Sequence, residues 1–306
     1  MLNNKDKEFW LIGVSFFLIY VVWGSTYLAN AWGIRSVPPF IYAGTRFVIA
    51  GALLYFISRS KNKSPITKIQ LKNTIIAGFM FFAIGNGLVV WSLKFMDSGI
   101  TSLVVAFQPL VVVFLMWSMR SQKPNRYSWA GVIIGLIGMY FLGEQPEFGS
   151  NPEWLIGVAA IFIALLTWGF SLIWMKDADL PDSIFQSAAL QMFFGGLMMF
   201  VISLGLGEWT GFEIGAVPPI AIWALLYLII IGSVLTFSAF NYLIKKVSPD
   251  KVSTSAFVNP VIALFLGAWL NSEFVSSQSV FAATLLLTGV LFINGQVKTL
   301  VGFFTK

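Results

Sequence analysis

The 306-residue chain contains no cysteine and no histidine. Without cysteine there are no disulfides and no thiolate metal sites. Without histidine there is no imidazole ligand, no imidazole proton relay and no histidine-based catalytic triad. Charge is also scarce, at 10% of residues, whereas 58% are hydrophobic; a soluble domain carries about 25% charged and roughly 45–50% apolar residues. That balance describes an integral membrane protein. With no histidine, no cysteine and no carboxylate deep in an apolar run, a general acid/base pair is hard to assemble. The chain is therefore not expected to be an enzyme, and no cofactor or metal is expected.

Long apolar runs are abundant. About 20 apolar residues cross the hydrocarbon of a bilayer, and ten such stretches are readable: Phe9–Ala31, Phe40–Ser58, Thr74–Phe95, Ile100–Met119, Trp129–Leu142, Leu155–Met175, Ile184–Leu206, Pro219–Ile244, Val252–Leu270 and Ser279–Val297. None alternates in polarity as a barrel strand does, so the expected fold is an all-α membrane protein of ten transmembrane helices. The first run is too long for a signal-peptide core and has a counterpart later in the chain, so it reads as a retained span.

The net charge of +6 is read as a topology signal rather than as a nucleic-acid surface. With a cytoplasmic N-terminus, Arg35 and Lys94 fall outside and Arg46 falls within a span; the other basic residues lie on cytoplasmic segments. The positive-inside rule then places both termini in the cytoplasm, as expected for a multi-pass protein of a cell membrane such as the bacterial inner membrane. The partners implied are the bilayer and its anionic headgroups.

The spans repeat. Leu11-Ile12-Gly13-Val14 with Trp23-Gly24 returns as Leu155-Ile156-Gly157-Val158 with Trp168-Gly169. Gly51 maps to Gly196 at an offset of 145, and Gln108-Pro109, Lys94 and Gly138 map to Asn259-Pro260, Lys245 and Gly289 at an offset of 151. The chain thus reads as two five-span units, residues 9–142 and 155–297. An odd number of spans per unit makes the second enter the membrane from the opposite side, an inverted repeat of the kind that builds alternating-access carriers. The amide-proline pairs are expected to break or bend their helices beside a path through the bilayer.

Several segments are familiar in this order: Trp23-Gly24-Ser25-Thr26-Tyr27, Ala43-Gly44-Thr45-Arg46-Phe47, Gly85-Asn86-Gly87, Val258-Asn259-Pro260-Val261, Leu266-Gly267 and Glu273. Over essentially its whole length the chain resembles the EamA-type branch of the drug/metabolite transporter superfamily. The resemblance implies a ten-helix carrier of two EamA repeats around a central cavity, similar to bacterial exporters of amino acids and other metabolites. It leaves the substrate open. Small multidrug members of that superfamily couple to protons through a mid-membrane glutamate, and this chain has no carboxylate deep in a predicted span.

The candidate substrate-binding residues follow from polarity inside the spans. Arg46 is either an anchor for a substrate carboxylate, which a guanidinium binds bidentately, or a structural donor to freed carbonyls or to Glu273. Asn86, Gln108, Asn241 and Asn259 either line a cavity or bond across helices, and Ser233, Phe237 and Asn241 share one helix face. The aromatic residues either belt the lipid interface or face the cavity, and the cavity is favoured for Trp23 and Trp168, which with Thr26, Tyr27 and Ser171 beside them form a candidate aromatic box or gate; Trp91 pairs with Tyr242 across the repeat. Gly131 and Gly135 fit small-residue packing, inside one subunit or in a dimer, so the chain is read as a monomer or homodimer. Glu273 and Asp97 sit at the outer boundary, where water keeps a carboxylate ordinary.

The reading is a secondary transporter that exports a small metabolite, an amino acid or analogue, by alternating access. A proton-coupled antiporter is the alternative, followed by a non-transporting scaffold.

Overall fold

A computed structural model describes residues 4–61, 65–143, 153–247 and 255–293. The described residues are helical with no strand. The helices are α1 (4–34), α2 (Pro39–Lys61), α3 (Lys68–Ser92), α4 (Ser98–Arg120), α5 (Arg126–Gly143), α6 (Glu153–Met175), α7 (Ile184–Gly205), α8 (219–246), α9 (Ser255–Asn271) and α10 (Ser277–Ile293). Seven of them, α1 to α4 and α6 to α8, are long and apolar enough to cross a membrane; α5, α9 and α10 are shorter apolar helices. The starting point Val252 for the ninth span and the last residues of the tenth lie outside the described residues.

The proline positions behave differently from one another. Proline lacks an N–H and fixes φ, so it suits a first helical turn. Accordingly α4 stops at Val105 and restarts at Gln108, with Pro109 in the first turn of the new segment. At Pro260, where a break or a bend is expected, there is no break: α9 runs through it as one helix.

Three helices are locally wound as π-helix, at Leu18–Val22 in α1, Phe79–Asn86 in α3 and Leu228–Leu235 in α8. A π-turn shifts the hydrogen-bond ladder by one residue and frees carbonyls from their usual donors. Inside a bilayer those carbonyls need another partner. Side chains supply it: Thr236 Oγ1 donates to Ile231 O (2.6 Å) and Asn86 Nδ2 to Phe81 O (3.0 Å).

Two helix pairs pack at close range, α2 on α7 and α5 on α10. Each pairs a helix with the one that the sequence offset maps onto it. Glycine permits both approaches. A Cβ on Gly51 would lie 2.6 Å from the Phe193 backbone nitrogen, and one on Gly196 would lie 2.7 Å from that of Val48. Gly289 is likewise set against the Gly131 carbonyl and the Gly135 nitrogen, so the Gly131/Gly135 pattern is used for packing within the chain. The internal likeness reaches the helix ends. Ser121 and Ser272, at the offset of 151, both take the left-handed conformation, with φ of 54° and 53°, in the termini that follow α4 and α9.

Two carboxylates from the second half cap helix starts in the first half. Glu208 accepts from the backbone nitrogens of Phe40 (3.1 Å) and Ile41 (3.1 Å). Glu273 accepts from Ser98 N (3.1 Å), Ser98 Oγ (2.7 Å) and Gly99 N (3.0 Å). A carboxylate satisfies otherwise unpaired N–H groups and the positive end of the helix dipole together. Glu273 is thus committed to the α4 start and to Asn271 Nδ2 (2.8 Å). The sequence pairing of Glu273 with Arg46 is not formed.

Candidate functional site

A cavity of about 230 Å³ lies where α1, α2, α3, α6 and α9 converge. Helix α1 presents Trp23, Thr26, Tyr27 and Asn30 to it, a spacing of three and four that puts all four on one helical face. Arg46 enters from α2, Phe81 and Asn86 from α3, Leu93 from the residue that follows α3, Trp168 from α6 and Asn259 from α9. Seven of the sequence-predicted residues therefore meet in one space: Trp23, Thr26, Tyr27, Arg46, Asn86, Trp168 and Asn259.

Arg46 is 7% exposed. Its Nε donates to Ser233 Oγ at 3.0 Å, and its guanidinium carbon lies 4.7 Å from the Phe47 ring centroid. It is the one charged side chain in the lining among the described residues. A guanidinium carries five donors, so the single hydrogen bond to Ser233 leaves capacity for an incoming acceptor. Charge in such a place is costly unless it has a partner or a use.

The amides and indoles of the cavity hold the π-wound helices. Trp168 Nε1 donates to Phe81 O at 2.7 Å, where Asn86 also donates. With its carboxamide nitrogen turned toward α1, Asn259 donates to Ile19 O and Tyr20 O (2.9 Å each) and to Ser255 O (3.2 Å). Both are links from the second half of the chain to freed carbonyls of the first. Asn30 Nδ2 donates to Thr26 O (2.8 Å), while its buried Oδ1 has no hydrogen-bond partner. An unpaired buried acceptor costs about 1–3 kcal/mol, so Asn30 Oδ1 is available to a donor on a bound solute.

The other predicted residues lie elsewhere. Gln108 has both carboxamide atoms buried without partners, beside Gly169 of α6 rather than in the lining. Ser171 is fully buried with an unpaired hydroxyl. Trp91 packs edge-on against Phe95, with ring centroids 4.8 Å apart, and Phe237 packs on Phe240 at 6.1 Å. The backbone of Asn241 is helical, and its side chain lies outside the described residues. Sequence reasoning missed Asn30, although it continues the Trp23, Thr26, Tyr27 face by one turn. It also missed Phe81 and Leu93, which carry no polar signal.

At one end of the cavity, Trp23 packs on Phe240 with ring centroids 5.2 Å apart, against a cluster built on Ile19 and Leu243. Beneath it, Lys246 Nζ lies 2.8 Å from Glu8 Oε1, and Glu8 raises the Lys246 pKa. On the opposite side Leu93 lines both the cavity and a polar vestibule of about 330 Å³ that also holds Arg35, Lys94 and Glu273. Leu93 is thus common to the lining of the cavity and of the vestibule, while Trp23 joins the cavity to the Phe240 cluster.

The family model of EamA-like transporters matches residues 11–143 and again residues 155–295. The chain belongs to the EamA-like transporter family. It is 32% identical over 282 residues to YedA, an uncharacterized inner membrane transporter of Escherichia coli (strain K12), covering 91% of this chain and 89% of that one. It is 25% identical to a probable amino-acid metabolite efflux pump of Salmonella typhimurium, covering 90% of this chain and 92% of that one. A solved crystal structure with 17% identity superposes with a TM-score of 0.62, covering 92% of this chain and 96% of the other; at that identity it speaks for the fold. This EamA-like protein is a multi-pass transporter of the cell membrane, built of two family repeats.

Proposed function

We propose that the chain is a secondary carrier that exports a small metabolite bearing a carboxylate, an amino acid or analogue, by alternating access. The observation that carries this reading is Arg46, a buried guanidinium with free donors in a 230 Å³ cavity lined by both family repeats. Trp23, Trp168 and Phe81 supply flat apolar walls, and Asn30 Oδ1 supplies an acceptor for an amino group. In this reading the three shorter helices also cross the bilayer, giving ten spans in two inverted units, residues 9–142 and 155–297, with both termini in the cytoplasm. The close packing of α2 on α7 and α5 on α10 supports such a two-fold relation. Named for one relative, amino-acid metabolite efflux supports the cargo class.

The test is transport in proteoliposomes across a panel of amino acids, their analogues and matched amines lacking the carboxylate. Carboxylate-bearing compounds should move, and Arg46→Ala should reduce their transport at least tenfold while the protein stays monodisperse and helical. If the amines move equally well, or Arg46→Ala transports like the parent, the reading fails.

A further inference from the structure

The two halves repeat one sequence pattern but do not take one conformation, and the difference falls on the amide-proline pair. In the second half Asn259 is engaged. With its carboxamide turned as above, its nitrogen reaches Ile19 O and Tyr20 O, in the π-wound turn of α1, and Ser255 O of its own helix. Helix α9 runs unbroken through Pro260. In the first half the counterpart Gln108 makes none of these bonds, since both its carboxamide atoms are buried without partners. There α4 is interrupted between Val105 and Gln108, and the Val104 carbonyl, the counterpart of Ser255 O, accepts instead from Phe107 N at 3.1 Å.

Each amide residue nonetheless lies against the equivalent partner helix. Trp23-Gly24 of α1 and Trp168-Gly169 of α6 are counterparts. A Cβ on Gly24 would lie 2.9 Å from Asn259 O, and one on Gly169 would lie 3.7 Å from Gln108 Nε2. Gln108 is thus already seated on α6 as Asn259 is on α1. The difference is in the helix it meets, because α6 is an uninterrupted α-helix from Glu153 to Met175. Its carbonyls are taken by its own amides four residues on, and it has none to offer. Counting back from Trp168, the residues equivalent to Ile19 and Tyr20 are Ala164 and Leu165, both fully buried. A second pair shows the same contrast. Thr26 Oγ1 donates to Trp23 O (2.6 Å), while its counterpart Ser171 has a buried hydroxyl without a partner. Leaving buried polar groups unpaired is costly, and here both costs fall beside the regular helix.

We propose that Gln108 is a positioning residue of the opposite-facing conformation, where it does for α6 what Asn259 does here for α1. In that conformation α6 winds as π-helix at Ala164 and Leu165, Gln108 caps the freed carbonyls, and α4 runs unbroken through Pro109. Asn259 in turn lets go of α1, and α9 breaks at Pro260. The inference rests on the alternating-access reading. When two copies of one unit are inserted in opposite orientations, the two-fold operation that maps one copy on the other also maps one membrane face on the other. Exchanging the conformations of the two halves therefore turns the molecule to its other side, and both conformations are present here, one in each half. The bonds of Asn259 favour the conformation described, and the unpaired groups of Gln108 and Ser171 oppose it, so the two states are held in balance. Gln108 acts through α6 and touches no cargo.

Accessibility from the two faces tests it. The chain has no cysteine, so Val89→Cys, in the cavity lining, supplies a unique thiol. The full-length protein is reconstituted in one orientation in sealed vesicles, and labelling by a membrane-impermeant maleimide is measured from each face in turn. The ratio of the two rates reports the balance of conformations. Gln108→Leu, of similar size without the amide, removes the cap of the opposite-facing conformation alone. It should shift the ratio about fivefold, the equivalent of ~1 kcal/mol for one hydrogen bond. Asn259→Leu should shift it in the opposite direction, and the double variant should return close to the parent. Gln108→Asn, which keeps a carboxamide, should stay near the parent. Gln108→Met carries the same prediction as Gln108→Leu should that variant not fold. A parent labelled from both faces, with a ratio that Gln108→Leu and Gln108→Met leave unchanged, overturns the role of Gln108 and leaves alternating access standing. Shifts in the same direction for Gln108→Leu and Asn259→Leu, or a Gln108→Asn displaced as far as Gln108→Leu, overturn it as well. If the parent is labelled from one face alone, alternating access and this proposal fall together.

Discussion

The Trp168 indole nitrogen donates to the Phe81 carbonyl at 2.7 Å, joining the second repeat to a π-wound turn of the first. The ring of Trp168 lies 5.7 Å from that of Phe81, so one side chain both walls the cavity and holds the irregular backbone that shapes it. A freed carbonyl in a membrane helix is tolerable because of such donors, and here the donor belongs to the other half of the protein. Motion of one half against the other must break or carry this bond.

Trp168→Phe keeps the ring and removes the donor, leaving Asn86 alone on Phe81 O. One hydrogen bond of two is lost at this carbonyl, so stability should fall by about 1 kcal/mol. Transport should fall further than stability, because the bond joins the two repeats. Thermal unfolding in detergent and initial rates in proteoliposomes read the two effects separately. A variant with normal rates would show that the bond is packing alone.

Asn259 should tolerate substitution poorly, and in a definite order. Its amide nitrogen serves Ile19 O and Tyr20 O, which Ala cannot do, so Asn259→Ala leaves two carbonyls short of donors. Asn259→Asp presents oxygen, and when ionised a charge, to those same carbonyls. The expected melting temperatures run Asn, then Ala, then Asp. An Asp variant as stable as the parent would contradict the donor assignment.

Gly51 should accept nothing larger than hydrogen without displacement of α7, because a Cβ would lie 2.6 Å from the Phe193 nitrogen and 2.7 Å from the Ala189 carbonyl. These are backbone atoms, which cannot rotate aside. Overpacking of this kind costs roughly 1–3 kcal/mol. Gly51→Ala should therefore lower the melting temperature, whereas Gly13→Ala, with open space around it, should leave it unchanged.

Stability should carry a pH dependence centred on Glu208. Burial raises its pKa, only partly offset by the Phe40 and Ile41 N–H groups and by Lys94. Being raised, the carboxyl holds its proton more tightly folded than unfolded. Its contribution is fully present below the ordinary glutamate value and is lost as pH rises through the raised one. Glu208→Gln, neutral throughout, should lack this loss. The melting temperature of the parent relative to Glu208→Gln should thus decline from acid toward neutral pH; parallel profiles would remove Glu208 as the source.

Much was legible in the residues themselves. The apolar runs dictated membrane-spanning helices because unpaired backbone cannot stand in lipid. The recurrence of Trp-Gly, Gly and amide-proline elements reflected two copies of one unit, and the polar positions Trp23, Thr26, Tyr27, Arg46, Asn86, Trp168 and Asn259 converge on one cavity. Other features depended on distance in space. Gln108 and Asn259 align in sequence, yet Asn259 reaches the cavity while Gln108 packs beside Gly169. Pro109 interrupts its helix and Pro260 does not.

By itself, then, the sequence determined the solvent, the helical class and the duplicated plan, because these follow from composition and periodicity along the chain. Tertiary structure alone decided which carbonyls the amides cap, and that Glu273 serves the α4 start and not Arg46. Hydrogen-bond partners and cavity walls are set by the packing of helices distant in sequence, and residue order carries no direct record of that packing.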